Sequence, residues 1–210
     1  MVRIPVVPPA EAGRWIRLAY HYLKRRFGEV PEPLAVLANH RRLFFTNAVH
    51  EAAAGKAATA LPPDLSNLAV YRVASTIGCS WCVDFGTMLH RLAGLDVDQL
   101  RHIADWATSP IYTDDERAVI AYAEAMTATP PEVTDEQVAD LRRRLGDAGV
   151  VELTYQIAHE NMRSRMNSAL GITAQGFSTG EGCRVPWTDT RTPARKTDEP
   201  TRHRTRRAGR

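Results

Sequence analysis

Apolar residues recur at helical spacing along most of the chain, and no segment alternates cleanly as a half-buried strand would. Prolines, glycines and capping residues divide this pattern into separate helical segments. We expect helices at about 10–27, 31–58, 64–77, 79–93, 96–109, 113–129, 134–146 and 150–170. The pattern therefore predicts an all-α fold, a compact helical bundle joined by short loops.

Several helix boundaries carry their own sequence signals. Thr113 and Thr134 each begin a capping box, with Glu116 and Gln137 three residues later, while Asp64 and Asp96 are candidate caps. The last helix carries an apolar stripe, which we read as Val150, Leu153, Ile157, Met162, Met166 and Leu170. Polar residues at 159–163 interrupt the stripe, so we expect some of them to be buried and paired.

Length and composition indicate one domain of 210 residues with tails, long enough to bury its own core. No apolar run approaches the roughly 20 residues that a membrane span needs, and the N-terminus does not read as a secretory signal. Three cysteines are too few for a secreted disulfide scaffold. We therefore expect a soluble, cytoplasmic protein without a membrane partner.

The C-terminal tail differs in composition from the rest of the chain. Residues 188–210 are rich in Thr, Pro and Arg, and residues 191–210 carry a net charge of +6, so a total of +3 leaves the first 190 residues at −3. With almost no apolar residues, the tail is expected to be disordered. It has no interleaved aromatic residues to stack on bases, which argues against a nucleic-acid partner.

Cys79 and Cys82 form a Cys-x-x-Cys motif where a helix is expected to begin. Side chains three residues apart on a helix lie about 5–6 Å apart, close to the range that a disulfide needs. The pair is therefore a candidate redox centre. A zinc half-site and a pair of small buried hydrophobic residues are the alternatives, although no second Cys/His pair stands at a matching spacing for zinc. We expect no metal and no cofactor.

The start of a helix favours thiolate chemistry. Unpaired backbone N–H groups and the positive end of the helix dipole stabilise an anion there, and the thiolate is the nucleophile. One cysteine can attack a peroxide to give a sulfenic acid, and its neighbour can condense with it to form a disulfide and water. An external dithiol must then reduce that disulfide.

The residues around the cysteines resemble a known family. Residues 68–84, with Gly78 before the Cys79–Cys82 motif, and Leu92-Ala93-Gly94-Leu95 after it, are similar to the carboxymuconolactone decarboxylase and alkyl hydroperoxidase D-like family. The resemblance covers about residues 61–180 and implies an all-helical fold that assembles as a homo-oligomer, a trimer or hexamer. Residues 1–60 are then N-terminal helices that pack on this domain.

The resemblance also implies roles for the two cysteines. In the peroxidase branch of the family the second cysteine attacks the hydroperoxide and the first resolves it, which makes Cys82 peroxidatic and Cys79 resolving. That branch uses a glutamate and two histidines as a proton relay, and this chain has Asn67, Trp81 and Gly86 at those positions. His90 lies too far along the helix to replace them, about 12 Å past Cys82.

Two residues of the last helix, His159 and Glu160, are candidates to approach the cysteines in the folded chain. The leading hypothesis is a thiol-dependent oxidoreductase, a peroxidase of the peroxiredoxin type acting on organic hydroperoxides, with an external dithiol as reductant. The alternative is a non-catalytic oligomeric helical module whose cysteine pair is structural or senses redox state. The remaining cysteine, Cys183, is expected to be a free thiol.

Overall fold

The computed structural model describes residues 2–178, and in that part of the chain the regular structure is helical, without strands. The α-helices are α1 (Arg14–Phe27), α2 (Glu32–Leu37), α3 (Arg41–Ala57), α4 (Pro63–Ile77), α5 (Ser80–Leu92), α6 (Val97–Arg101), α7 (Asp114–Thr127) and α8 (Asp135–Leu170), with a short 3-10 turn at Ile103–Asp105. The expected all-α fold is confirmed.

Helix α4 forms the centre of the bundle because α7, α8 and α5 all pack against it. Ala69 and Val73 of α4 are fully buried with Val119 of α7 and with Leu153 and Ile157 of α8. Burying a valine, leucine or isoleucine side chain stabilises a fold by about 1.5–3 kcal/mol. These three helices therefore form the rigid support on which α5 lies.

The junction of α4 and α5 places the two cysteines. Gly78 ends α4 in the left-handed conformation (φ 79°), which a residue without a Cβ adopts at little cost. The N–H groups of Gly78 and Cys79 both bond to the carbonyl of Ala74, and Cys79 then becomes the N-cap of α5. The chain thus turns sharply, and Cys82 lies in the first turn of α5.

The N-terminal helices have their own apolar cluster, in which Ile16 and Tyr20 of α1 pack near Phe44 of α3. The expectation of one helix over 31–58 is wrong. The chain breaks after α2, where the Asn39 side chain bonds to the carbonyl of Val36, and α3 begins anew with His40 as its N-cap. Asn and His side chains that bond nearby backbone groups compete with helix continuation in this way.

Three expected helix starts are confirmed and one is wrong. Thr113 and Glu116 form a complete capping box on α7, Asp96 caps α6 through the N–H of Asp98, and Thr134 caps α8 through the N–H of Gln137. The expected cap Asp64 instead lies in the first turn of α4, whose N-cap is Pro62. A carboxylate in the first turn still favours the helix through the dipole.

Helix α8 is bent at Gly146 (φ 70°), which divides it into the two helical segments expected from the sequence. The prediction that the apolar stripe continues beyond Ile157 through Met162 and Met166 is wrong, since both side chains are about 40% exposed. The positions that continue the buried stripe are Glu160, Ser164 and Asn167. We call these three residues the α8 polar face.

The described part of the chain has no helix long and apolar enough to cross a membrane. The basic tail and Cys183 lie outside the described residues.

Candidate active site

Cys79 and Cys82 form a disulfide at the N-terminus of α5, with their Cα atoms 5.3 Å apart. Both residues are buried, with relative exposures of 3% and 8%. The Cys79 Sγ accepts a hydrogen bond from the backbone N–H of Cys82 at 3.2 Å. The N-cap group of α5 is therefore the sulfur atom of Cys79. The sequence-predicted pair is therefore brought together at disulfide distance.

The α8 polar face is directed at the sulfur atoms. The Ser164 hydroxyl lies 3.3 Å from the Cys82 Sγ, and the Asn167 amide donates to Cys82 Sγ at 3.4 Å and reaches Cys79 Sγ at 3.7 Å. Ser164 Oγ also lies 2.7 Å from the Glu160 Oε1. Cys82 thus has hydroxyl and amide partners, while Cys79 has the amide alone on this side.

Glu160 is the buried charge nearest to this arrangement. Burial raises its pKa, although the guanidinium of Arg163, 3.3 Å from the carboxylate, and the Ser164 hydroxyl act in the opposite direction. A second carboxylate, Glu51 of α3, accepts from Arg163 at 2.9 Å. Burial alone would raise the pKa of Glu51, but His159 and Arg163 beside it outweigh that effect and lower the pKa to about 2.

His159 belongs to the same network of contacts as Arg163 and Glu51. A guanidinium only donates, so the contact of Arg163 with His159 Nδ1 at 3.1 Å makes that nitrogen an acceptor. The proton of a neutral ring then lies on Nε2, which is 3.3 Å from the Glu51 carboxylate. His159 is buried, as expected, but it supports Arg163 and Glu51 rather than contacting the sulfurs.

A short C-terminal segment, residues 174–178, crosses the start of α5, and we call it the strap. Asp84 holds it by accepting from the backbone N–H groups of Gln175, Gly176, Phe177 and Ser178 and from the Ser178 hydroxyl. Burial would raise the pKa of Asp84, but these hydrogen bonds together lower it. Asp84 is thus a structural anchor and does not contact the sulfurs.

Aromatic residues cover the outer side of the motif. Trp81 stacks on Phe85 with ring centroids 4.6 Å apart, and Phe177 of the strap packs edge-on against both. The Trp81 indole N–H donates to Gln175 Oε1 at 2.7 Å, which ties this ring to the strap. Trp81 therefore packs between Phe85 and the strap and covers the motif from this side.

The other positions singled out in the sequence do not reach the sulfurs. Gly86 faces the ring of Tyr71, whose Cδ2 would lie 3.3 Å from a Cβ at that position. His90 is buried, and its Nε2 lies 3.0 Å from the carbonyl of Asp96. Among the described residues, no group of three or more His, Cys, Asp or Glu side chains is placed to hold a metal ion.

Sequence reasoning missed Ser164 and Asn167. The signal was present, because Val150, Leu153, Ile157, Glu160, Ser164 and Asn167 follow one another at alternating steps of three and four residues. That spacing keeps all of them on one face of a helix. Met162 and Met166 are apolar, but they do not keep this spacing and they lie on an exposed face.

Two sequence comparisons, with a protein family and with a single relative, place the chain among known proteins. Residues 44–125 match the carboxymuconolactone decarboxylase family. The chain is 32% identical over 163 residues to the uncharacterized protein YnjA of Escherichia coli (strain K12), an alignment that covers 78% of this chain and 87% of YnjA.

Two solved structures are similar in fold at low sequence identity. One is an uncharacterized peroxidase-related protein from Ralstonia eutropha JMP134 with an alkylhydroperoxidase AhpD core (TM-score 0.76, 18% identity, 86% of this chain and 96% of that chain). The other is the debrominase Bmp8 (TM-score 0.71, 17% identity, 84% and 94%). With the match over the central helices and the extended similarity to YnjA, the chain belongs to the carboxymuconolactone decarboxylase family.

Proposed function

We propose that the protein is a thiol-dependent oxidoreductase that reduces organic hydroperoxides through a dithiol–disulfide cycle of Cys79 and Cys82. The observation that carries this proposal is the disulfide at the start of α5, with hydrogen-bond donors from α8 aimed at its sulfur atoms. Such donors stabilise a thiolate, which is both the nucleophile and the leaving group of disulfide chemistry.

Cys82 is the peroxidatic cysteine in this proposal. It lies in the first turn of α5, where the helix dipole favours the anion, and it is the sulfur with both hydroxyl and amide partners. Its thiolate attacks the hydroperoxide, an S–O bond forms, the O–O bond breaks, and the alkoxide leaves as the alcohol after taking up a proton. Cys79 then attacks the sulfenic acid, forming the disulfide and releasing water.

The cycle requires two partners, an oxidant and a reductant. A hydroperoxide is the oxidant, and an external dithiol returns the disulfide to two thiols.

We further propose a homo-oligomer, a trimer or hexamer. Large exposed apolar side chains on one side of α1, namely Trp15, Leu18 and Tyr22, support burial against a second copy of the chain.

The first experiment is an anaerobic titration of the reduced protein with one equivalent of cumene hydroperoxide, followed by mass spectrometry of tryptic peptides. The peptide 73–91 holds both active-site cysteines, whereas Cys183 lies in the separate peptide 166–184. We expect rapid loss of two hydrogens confined to peptide 73–91. A Cys79→Ser variant should accumulate a sulfenic acid on Cys82, and Cys82→Ser should not react.

The burial of both sulfurs favours a second candidate, a non-catalytic helical module whose cysteine pair is structural or senses redox state. Thiols that survive many equivalents of hydroperoxide for hours would exclude the peroxidase and support this module. In that case Cys79→Ser and Cys82→Ser would also leave assembly unchanged.

A further inference from the structure

Glu160, Ser164 and Cys82 form a chain of two successive contacts at the buried boundary between α5 and α8. Glu160 Oε1 is 2.7 Å from Ser164 Oγ, and Ser164 Oγ is 3.3 Å from Cys82 Sγ. All three residues are buried, and Ser164 has no exposed surface. A hydroxyl has one hydrogen and two lone pairs, so it can accept a proton from one neighbour while it passes its own to the other.

We propose that Glu160 and Ser164 form the proton relay of Cys82. This inference rests on the proposed thiol cycle and adds the residues that move its proton. Ser164 contacts the reacting sulfur and is therefore a catalytic residue, whereas Glu160 acts through Ser164 as a positioning residue that stores the proton. The position of the family's relay histidine four residues after Cys82 holds Gly86, so α8 supplies a function that α5 lacks.

The relay balances its protons over one turnover. The Cys82 thiol gives its proton to Ser164 Oγ while the Ser164 proton passes to the Glu160 carboxylate, which leaves a thiolate beside a carboxylic acid. When the thiolate has broken the O–O bond of a hydroperoxide, the same path returns the proton to the alkoxide. The site has then gained a sulfenic acid and released an alcohol, and Glu160 is a carboxylate again.

The surroundings of Glu160 suit proton storage. Burial disfavours its charged form, and Arg163, the cation nearest to it, is shared with Glu51. Besides these two residues, the group that contacts Glu160 is the Ser164 hydroxyl, which lies between Glu160 and the Cys82 sulfur of α5. His159, on the same helix, contacts Glu51 and Arg163. A carboxyl group held protonated nearer to neutral pH is a better match to a thiol than an exposed glutamate would be.

The equilibrium test measures the pH dependence of Cys82 alkylation by iodoacetamide in a Cys79→Ser background. Serine is a good N-cap, so this background keeps the start of α5. Because Glu160 and Cys82 share a proton, we expect the alkylation rate of peptide 73–91 to rise in two steps with pH. Glu160→Gln cannot take up the proton and should show one step. A two-step rise that persists in Glu160→Gln would overturn the relay.

The kinetic test uses Ser164→Ala, which interrupts the path but keeps the Glu160 charge. The two-step alkylation profile should remain, while the rate with cumene hydroperoxide at the optimum pH falls by about a hundredfold, as in Glu160→Gln. An unchanged rate in Ser164→Ala would contradict the relay. Glu160→Asp, which keeps a carboxyl group, should recover part of the rate lost in Glu160→Gln.

Glu152→Gln is the matched control. Glu152 lies on the same helix, and its carboxylate accepts from the backbone N–H groups of residues 59–61, away from the cysteines. Glu152→Gln should show the same alkylation profile and the same rate with cumene hydroperoxide as the unaltered chain. If the unaltered chain does not react with cumene hydroperoxide but its alkylation profile changes in Glu160→Gln, the proposed substrate is wrong and the relay is supported. If the unaltered chain and Glu160→Gln react with cumene hydroperoxide at the same rate, the relay is wrong and the proposed function is kept.

Discussion

Gly86 lies one turn beyond Cys82 on α5 and faces Tyr71 of α4. The ring of Tyr71 on α4 occupies the space that a side chain at position 86 would need, and its hydroxyl lies 3.2 Å from the Thr87 hydroxyl. Tyr71 is buried. A histidine at this position would therefore require the Tyr71 ring to shift.

Gly86→His is expected to destabilise the fold by roughly 1–3 kcal/mol, the usual cost of overpacking, because the half-buried Gly86 lies against the buried Tyr71. The imidazole would have to displace the Tyr71 ring, whose Cδ2 would lie 3.3 Å from the new Cβ. The variant should therefore unfold at a lower urea concentration and gain no peroxidase activity.

Gly55→His is the control for this substitution. Gly55 is also a helical glycine, but it is exposed and a Cβ there meets nothing within 4 Å. Urea unfolding of Gly55→His should show no loss, because a glycine in a helix interior is itself unfavourable by about 1 kcal/mol relative to alanine. Equal stability of the two histidine variants would show that Tyr71 can move aside freely.

At the scale of helices, the sequence predicted the parts that local chemistry decides. The start of α7 followed from its capping box, and the junction at Gly78 followed from a glycine before a helix start. The break between α2 and α3 and the facing of α8 beyond Ile157 did not. The facing of α8 depends on tertiary contacts, since a polar stripe is indistinguishable from a solvated face until its partner, here the sulfur atoms, is known. The break is made locally by the Asn39 and His40 side chains, which bond nearby backbone groups, and the apolar spacing does not show this competition.

The strap shows how one side chain can fix an irregular segment. Without helical hydrogen bonds, the N–H groups of residues 175–178 need acceptors, and the Asp84 carboxylate supplies them. The strap in turn holds Phe177 and Gln175 against Trp81, beside the disulfide. Order in this segment therefore depends on a charge on α5.

Asp84→Asn is expected to loosen the strap and to cost about 2 kcal/mol of stability, the scale of hydrogen bonds to a charged group. Because the pKa of Asp84 is lowered on folding, its contribution is present above its ordinary value of 3.8 and is lost as the pH falls through the folded value. Hydrogen–deuterium exchange of residues 174–178 should become faster. Asp98→Asn, which alters an exposed ion pair with Arg101, should leave that exchange unchanged.

At the scale of the whole molecule, the two carboxylates that share Arg163 have opposite effects on stability. The pKa of Glu51 is lowered to about 2, so its contribution is present above the ordinary value of 4.5 and is lost as the pH falls toward 2. The pKa of Glu160 is raised, so ionising it weakens the fold as the pH rises above 4.5. A site that stores a proton therefore destabilises the folded chain near neutral pH.

Glu160→Gln should make the protein more stable while it impairs the proposed chemistry. Glutamine resembles the protonated glutamate in shape, and Arg163 keeps Glu51 as its partner, so no cation is left unpaired. We expect a gain of about 1 kcal/mol near neutral pH that shrinks as the pH falls toward the ordinary value of 4.5 and is absent below it. Urea unfolding of both proteins across this range measures the difference. A loss of stability at every pH would mean that Glu160 is a structural ion-pair partner of Arg163 and not a proton store.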